Sequence, residues 1–168
     1  MNQIALDPQP QDPSYRLITL TQGQSAIVDA DDYDWLNQWK WCALWCPSTA
    51  SFYAARTVNK STVYMGRVIL NAKSEEIADH DNHDTLDHRR ANLRLADKSQ
   101  SQHNKRQRKD NTTGRKGVNF NRAHGKYYAR IKLHGKEKYL GAFTSVEEAG
   151  DAYDSAAIRL HGEFACLK

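Results

Sequence analysis

The chain has 168 residues, a hydrophobic content of 39% and a formal net charge of +4. This length fits one ordinary domain or two small ones. Three cysteines argue against a disulfide framework, and no apolar run reaches the ~18 residues of a membrane span. Because the N-terminus also lacks the basic and apolar regions of a signal peptide, we expect a soluble, cytoplasmic protein.

The charge is distributed very unevenly. Residues 1–88 carry 6 Lys/Arg and 12 Asp/Glu, residues 89–138 carry 16 and 3, and residues 139–168 carry 2 and 5. A central block of net charge +13 between acidic flanks is typical of a surface that binds a polyanion. Part of this block is also compatible with a solvated linker.

The first elements are predicted from local patterns. Residues 1–14 hold three of the four prolines and indicate a disordered lead-in. Tyr15–Leu20 has the composition of a short strand. Asp31 and Asp32 are N-cap candidates for a short helix over Tyr33–Trp39.

A hairpin is predicted next, from two aromatic and β-branched segments, residues 39–46 and 52–58. The apolar segment 62–70 is compatible with a strand or a short helix. Four tryptophans fall within 11 residues around the hairpin; they are Trp35, Trp39, Trp41 and Trp45. A base-stacking platform is conceivable, but the acidic surroundings favour an aromatic core. Cys42 and Cys46 have a spacing compatible with zinc, and without a second pair buried thiols are favoured.

Asp79 and His80, followed by Asn92, carry the most informative chemistry of the chain. A carboxylate beside an imidazole can hold one hard divalent cation next to one general base, and phosphodiester hydrolysis needs that pair. Three arginines close to Asn92 are expected to contact phosphates, since they would repel one another without an anion. They are Arg89, Arg90 and Arg94. The histidines His83, His88 and His103 are interpreted as loop or phosphate-contact residues.

No apolar residue occurs between Asp97 and Gly117. A helix over Lys98–Arg108, with Asp97 as its N-cap, could not bury an apolar face in the usual way. It would have to be held by a cap, by a metal or by a polyanion. Residues 110–114 then have the composition of a linker.

A second module follows the linker. Residues 117–121, 126–133 and 136–141 predict three short strands, with a turn at His134-Gly135. Apolar residues alternate with cationic or tyrosine residues along the middle strand. A capping box at Thr144–Glu147 begins a helix with apolar residues at helical spacing, and Gly162 ends it. We therefore expect a three-stranded antiparallel sheet with one helix on its apolar face.

The other face of this sheet has the composition of a surface that meets phosphates and base edges. Arg130, Asn119 and Asn121 are the best candidates for base contacts. The DNA-contact candidates of this module are Lys116, Asn119, Asn121, Arg122, Lys126, Tyr128, Arg130, Lys132 and Tyr139.

Two parts of the chain resemble known families. The segment Ile77–Asn104 resembles the HNH nuclease motif, which has the ββα-metal fold. Residues 115–167 resemble the Apetala2/ethylene-response (AP2/ERF) DNA-binding domain. That resemblance lies in Lys116-Gly117-Val118, Tyr139–Phe143, Glu147-Glu148-Ala149, Ala152-Tyr153-Asp154, Ala156-Ala157 and Leu160–Ala165. The order of the two parts is similar to that of phage and bacterial HNH homing endonucleases that carry an AP2-type domain.

The HNH resemblance implies roles for individual residues. His80 would activate water as the general base, Asp79 would bind the metal, and Asn92 would fix the loop and orient the histidine. One divalent metal ion is implied, Mg²⁺ with Mn²⁺ as a substitute. Ser101 stands where the family has a second metal ligand, Asn or His, and Gly66 stands where relatives have His.

The sequence therefore predicts an α+β protein. Its parts are a lead-in (1–14), an N-terminal segment with the HNH motif (15–108, core 77–104), a linker (109–114) and an AP2-type domain (115–168). The expected function is a metal-dependent, site-specific DNA endonuclease of bacterial or phage origin. The expected partner is double-stranded DNA, with no membrane and no small-molecule substrate; monomer and dimer stay open. The alternative, favoured by Ser101 and Gly66, is a catalytically weakened or inactive sequence-specific DNA-binding regulator. An RNA-binding protein is a weaker third hypothesis.

Overall fold

The computed structural model describes residues 9–107, 110–133 and 135–167. It divides into two compact units, Met1–Ala96 and Asp97–Lys168. Each unit is built from small antiparallel sheets and short helices, which confirms the α+β class. Residues 1–8 of the predicted lead-in lie outside the described residues, whereas Gln9 exchanges two side-chain hydrogen bonds with the backbone of Leu17, 2.9 and 3.1 Å long.

The N-terminal unit begins with a hairpin and a helix. Strands β1 (Tyr15–Thr19) and β2 (Ser25–Asp29) pair antiparallel, and helix α1 (Ala30–Leu36) follows directly. Strand β1 was predicted, while β2 was not. Helix α1 begins three residues earlier than predicted because Asp29 is still extended at the N-cap position. Asp31 and Asp32 then lie in the first turn, where the helix dipole favours carboxylates.

A three-stranded sheet comes next, with the order β3 (Cys42–Cys46), β4 (Ser51–Val58), β5 (Ser61–Tyr64). The predicted hairpin is confirmed as β3 and β4. The ambiguous segment 62–70 contains both alternatives, because β5 ends at Tyr64 and helix α2 (Met65–Ile69) begins at the next residue.

The core of this unit joins these elements. It consists of Ile18, Leu20, Ala26, Val28, Leu36, Trp41, Ala43, Ala54, Met65, Ile69 and Leu93. Trp41 is buried in it and Trp35 packs against it, as an aromatic core requires. Trp39 and Trp45 are 36% and 46% exposed, so the core interpretation holds for only half of the tryptophans.

The segment with Asp79 and His80 forms a second hairpin. Strands β6 (Ile77–His80) and β7 (Leu93–Ala96) pair antiparallel, with the loop 81–92 between them. Hydrogen bonds attach this loop to β2: the Ile27 amide donates to the Leu86 carbonyl (2.9 Å), and the His88 amide donates to the Ile27 carbonyl (2.7 Å). The loop is therefore held by the first hairpin of the unit.

The C-terminal unit contains the predicted sheet and helix. Strands β8 (Val118–Asn121), β9 (Lys126–Leu133) and β10 (Lys136–Phe143) form an antiparallel sheet with β9 in the centre. Helix α4 (Val146–His161) packs on β9 and β10. Its N-cap is Ser145, whose hydroxyl accepts from the Glu148 amide at 3.1 Å, so the cap lies one residue later than predicted. His134 of the predicted turn lies outside the described residues.

Small side chains let α4 lie close to the sheet. Ala149, Ala156 and Ala157 are buried on the helix, and Ala129 and Ile131 are buried on β9. The pairing register shifts between Tyr139 and Gly141 on β10. Leu140 packs into the core, while Tyr139 lies on the opposite face of the sheet, across from Arg130.

Helix α3 (Lys98–His103) belongs to the C-terminal unit and buries no residue. A capping box holds its first turn: the Asp97 carboxylate accepts from the amides of Ser99 (2.7 Å) and Gln100 (2.8 Å), and the Gln100 side chain accepts from the Asp97 amide (2.8 Å). The sequence left a cap, a metal or a polyanion as alternatives, and the structure contains the cap. The helix ends five residues before the predicted Arg108, which lies outside the described residues.

Candidate nucleic-acid interface

The face of the C-terminal sheet opposite α4 collects most of the predicted DNA-contact residues. Along β9 the buried residues Ala129 and Ile131 alternate with more exposed neighbours. The pairing register then fixes which residues of β8 and β10 share the exposed face. This outer face consists of Asn119, Asn121, Lys126, Tyr128, Arg130, Lys132, Glu137, Tyr139 and Ala142. Seven of the nine candidates from this module thus lie together.

Tyr128 is the centre of an aromatic group on the outer face. Its ring lies 5.7 Å from that of Tyr139 and 6.1 Å from that of His124, and its hydroxyl is 3.0 Å from Nδ1 of His124. Tyr139 is 54% exposed. These rings offer flat surfaces beside the cationic side chains, a combination that suits sugars and bases as well as phosphates. His124 was not among the sequence candidates.

Arg130 has an anionic neighbour that the sequence analysis also missed. Its Nη1 donates to Oε1 of Glu137 at 3.1 Å, and both side chains are substantially exposed, at 42% and 62%. An ion pair this exposed contributes little to stability because water and salt screen it. A phosphate, or the neutral acceptors of a base edge in a desolvated interface, can therefore compete for the guanidinium.

The two predicted asparagines differ in their surroundings. Asn121 Oδ1 accepts from the backbone amide of His124 at 3.2 Å and lies 3.3 Å from its Nδ1, so Asn121 helps to shape the turn between β8 and β9. Asn119 is exposed and shows no side-chain hydrogen bond within the part of the chain that the structure describes. Arg122 is exposed in the turn itself.

Lys116 lies elsewhere and has a structural contact. Its ammonium donates to the carbonyl oxygens of His103 (2.9 Å) and Lys105 (2.5 Å), at the end of α3. A cation at this end is favoured by the helix dipole, and burial lowers the pKa of Lys116 below its usual value. The His103 ring also stacks on His161 with centroids 3.6 Å apart. Lys116 therefore attaches α3 to the rest of its unit.

In the N-terminal unit, Asn92 and Asp87 hold the loop 81–92 together. The side-chain Nδ2 of Asn92 donates to the backbone carbonyl of Asp87 (2.8 Å), and its Oδ1 accepts from the Asn82 backbone amide (2.9 Å). The Asp87 carboxylate in turn accepts from the Asn82 side chain (3.0 Å). Asn92 is thus a buried residue that fixes the conformation of this loop.

His80 is buried against a second histidine. Its Nε2 lies 3.3 Å from Nδ1 of His88, and both rings are almost fully buried. Burial is the main cause that lowers the pKa of His80 to about 4 and that of His88 to about 3. Both imidazoles are therefore neutral at pH 7. His88 lies in the loop 81–92, as interpreted from sequence, but its burial does not fit a phosphate contact.

The three arginines near Asn92 have carboxylate partners within the unit. Arg89 forms two hydrogen bonds with Asp87, 2.8 and 2.7 Å long, and Arg90 forms two with Asp32, both 2.8 Å long. Arg94 bridges Asp79 at 3.0 Å and Asp81 at 2.6 Å. The hydrogen bonds from Arg89 lower the pKa of Asp87 below its usual value. The anions that these arginines require are therefore protein carboxylates, which removes the argument for phosphates.

The metal site expected from Asp79 and Ser101 stays a prediction. The carboxylate of Asp79 is paired with Arg94, and Ser101 lies on α3, in the other compact unit. Within the described residues, no group of three or more His, Cys, Asp or Glu side chains is arranged to hold a metal ion. Cys42 and Cys46 are free thiols of intermediate burial, and the Cys42 thiol lies 3.1 Å from the Ala55 carbonyl oxygen.

Comparison with known proteins supports the AP2/ERF resemblance. The chain is 47% identical over 49 residues to the AP2-like ethylene-responsive transcription factors CRL5 of Oryza sativa subsp. japonica, AIL5 of Arabidopsis thaliana and PLT2 of Arabidopsis thaliana. The match covers 28% of this chain and only 8–9% of these relatives. No family model and no solved structure matches the chain. In the described residues, no helix is long and apolar enough to cross a membrane.

These relatives overturn the predicted enzyme. They are transcription factors rather than nucleases, and neither the comparisons nor the fold supports an HNH module. The prediction of an HNH-type DNA endonuclease is therefore wrong. The relatives come from plants and give no support to a bacterial or phage origin. What the comparisons support is an AP2/ERF-type DNA-binding domain.

Proposed function

We propose that this chain is a sequence-specific double-stranded DNA-binding protein that acts as a regulator. The observation that carries the proposal is the outer face of the C-terminal sheet, where Lys126, Arg130 and Lys132 are interleaved with Tyr128 on one strand. The similarity to AP2-like transcription factors supports it independently. Since the match covers a small part of those relatives, the proposal concerns this surface and the class of its ligand.

The proposed contacts divide by side-chain chemistry. Arg130 and Asn119 have donors in fixed planar geometry and suit base edges in the major groove. Lys126 and Lys132, exposed near opposite ends of β9, suit phosphates on either side of those bases. Tyr139 can pack against sugars. The N-terminal arginines are not included because their guanidinium groups hold carboxylates.

Selection from a random duplex library with the full chain tests the proposal. We expect enrichment of one short motif, and gel-shift titrations should then show at least about tenfold tighter binding to that motif than to scrambled duplex. Enrichment of no motif, with equal affinity for all duplexes, would refute sequence specificity. Tighter binding to structured RNA than to the selected duplex at matched salt would refute the choice of DNA.

Two lysines provide a matched pair that tests the surface. Lys132 lies on the outer face opposite Glu137, whereas Lys138 pairs with Ile131 and so lies on the face toward α4; both are exposed. Lys132→Ala should weaken binding several-fold and reduce the slope of log affinity against log salt by about 1. Lys138→Ala removes the same charge and should change neither by more than about twofold. Equal losses from both variants would show that overall charge, rather than this face, binds the duplex.

A further inference from the structure

The N-terminal unit contains a cavity whose lining includes none of the residues proposed to contact DNA. Its volume is ≈ 430 Å³, within the range of small-molecule sites in proteins. It lies between the three-stranded sheet, the start of α2 and the β6 strand. The residues that line it are Leu44, Trp45, Cys46, Pro47, Tyr53, Ala54, Tyr64, Gly66, Arg67, Ile77, Ala78, His80 and His88.

Most of this lining is apolar or aromatic, and part of it is open to solvent. Leu44, Trp45 and Tyr64 are 41%, 46% and 37% exposed although they are large hydrophobic residues. The rings of Tyr53 and Tyr64 lie edge to face, with centroids 6.2 Å apart. Exposed aromatic side chains gathered around a cavity are typical of a site for a planar apolar ligand.

Two residues of the lining, His88 and Arg67, carry polar groups suited to a polar ligand. His88 is only 2% exposed, and its Nε2 has no hydrogen-bond partner within the described residues. A buried ring nitrogen without a partner is unfavourable and is often explained by a missing ligand or water. Its other nitrogen is occupied by His80. The lining therefore includes one imidazole whose buried Nε2 has no partner among the described residues.

Arg67 is the one permanently charged residue of the lining. Its guanidinium donates to backbone carbonyl oxygens, those of Glu76, Ala72 (3.4 Å) and Lys73 (2.6 Å). Carbonyl oxygens satisfy its N–H groups without neutralising its charge. An anionic group on a ligand would therefore be attracted to this wall, more strongly than in water because the surroundings are apolar.

We infer that this cavity binds a small planar aromatic acid. The aromatic part would pack among Trp45, Tyr53 and Tyr64, and the acid group would meet the charge of Arg67 and the imidazole of His88. A volume of ≈ 430 Å³ limits the ligand to a few fused or linked rings. The excess of acidic residues in 1–88, 12 Asp/Glu against 6 Lys/Arg, disfavours a nucleic acid as the occupant. The sequence led us to expect no small-molecule substrate, and this proposal adds a small-molecule ligand. It is independent of the proposed DNA-binding function.

Three probes separate the parts of the inference: 2-naphthoate, the neutral 2-naphthamide and the aliphatic octanoate. Titration calorimetry of the full chain should show saturable 1:1 binding of 2-naphthoate, at least about tenfold tighter than either of the other two. Equal affinity for the amide would contradict the requirement for an acid group on the ligand. Equal affinity for octanoate would contradict the requirement for an aromatic ring. Absence of saturable binding of all three up to about 1 mM would overturn the site.

Cys46 reports the location of the ligand without any mutation. It lines the cavity, and hydrogen bonds from Ser48 and Thr49 lower the pKa of its thiol to about 7, which makes it reactive near neutral pH. Saturating 2-naphthoate should slow the alkylation of Cys46 by iodoacetamide at least about fivefold. Cys42, on the same strand but outside the lining, should react at an unchanged rate. Equal rates for Cys46 with and without the probe would place any binding elsewhere.

A matched pair of tryptophan variants tests the aromatic wall. Trp45→Ala should weaken 2-naphthoate binding by about fivefold or more, because its ring lines the cavity. Trp39→Ala removes a similarly exposed ring of the same unit that does not line the cavity, and should change the affinity by less than about twofold. Equal effects would contradict the assignment, and the Cys46 experiment on the unmodified chain decides the matter if either variant fails to fold.

Discussion

Arg130 on β9 and Glu137 on β10 form an ion pair of 3.1 Å on the face that we propose for DNA. The residue best suited to contact a base is therefore held by a carboxylate when DNA is absent. DNA binding must exchange this carboxylate for a base or phosphate, and it also brings the negative charge of Glu137 close to the polyanion. Both effects weaken non-specific binding, so Glu137 favours sites where Arg130 gains a good partner.

Glu137→Gln should strengthen the binding of scrambled duplex about two- to fivefold at low salt, because it removes a repulsive charge and releases Arg130. The ratio of affinities for selected and scrambled duplex should fall. Gel-shift titration of both duplexes measures this change. Glu147→Gln makes the same charge change at an exposed position of α4 and should have little effect. Equal gains from both variants would mean that net charge alone is responsible.

Arg130→Ala and Lys126→Ala should affect binding in different ways. Loss of a guanidinium that contacts a base should cost about 1–3 kcal/mol on the selected motif and much less on other sequences. Loss of a lysine that contacts a phosphate should weaken binding to all duplexes to a similar extent. Competition titrations with a panel of single-base variants measure the difference. The division of roles is wrong if both substitutions reduce cognate and random binding equally.

The two faces of β9 could be predicted from sequence because the alternation of Tyr127, Ala129 and Ile131 with charged residues is local. The partners of the charged side chains could not be predicted from sequence. Arg90 is bound by Asp32, 58 positions away in the chain, and Lys116 by carbonyl oxygens of α3. No local pattern indicates such pairs, since they depend on how the elements pack. The same limit applies to Asp79, whose partner is decided by the register that places Arg94 opposite it.

Lys116→Met should release α3 rather than weaken DNA binding directly. The variant loses two hydrogen bonds to carbonyl oxygens at the end of the helix, a change worth about 1–2 kcal/mol of local stability. Hydrogen exchange should therefore become at least about fivefold faster at the amides of Ser101 and Asn104, with smaller changes in α4. Lys126→Ala should leave this exchange unchanged. Unaltered exchange in Lys116→Met, together with a loss of affinity for all duplexes, would instead assign Lys116 to the DNA interface.

The N-terminal unit should lose stability as the pH falls, because His88 is buried in its neutral form. Burial lowers the pKa of His88 to about 3 in the folded state, whereas the unfolded chain has a histidine pKa near 6.5. The unfolded state therefore binds the proton more readily below pH 6.5. The free energy of unfolding should be highest above that pH. At pH 5 His88 alone should lower it by on the order of 2 kcal/mol, and the buried His80, whose pKa is about 4, should lower it further.

Urea unfolding at pH 7.5 and pH 5 measures this effect, and tryptophan fluorescence reports on the N-terminal unit because all four tryptophans lie in it. His88→Gln should be less stable at pH 7.5 but should lose less stability on acidification. His124→Gln, an exposed position in the other unit, should keep the full pH dependence. An unchanged slope in His88→Gln would show that another group is responsible.

Two glycines with nearly the same backbone conformation should respond very differently to substitution. Gly117 has φ +70° and Gly114 has φ +72°, so alanine at either position pays the cost of a left-handed conformation, about 1 kcal/mol. At Gly117 a Cβ would also lie 2.1 Å from the Tyr153 ring and 2.6 Å from the Arg130 carbonyl oxygen, whereas at Gly114 nothing lies within 4 Å. Tyr153 is buried between α4 and the sheet, so it cannot move away without opening the core.

Gly117→Ala should therefore destabilise the C-terminal unit by about 3 kcal/mol or more, and Gly114→Ala by only about 1 kcal/mol. Thermal unfolding followed by far-ultraviolet circular dichroism gives the comparison. DNA affinity at low temperature should fall for Gly117→Ala as well, because the carbonyl that the new methyl group displaces belongs to Arg130 on the outer face. Similar unfolding temperatures for the two variants would mean that α4 does not pack on β9 as closely as the structure has it.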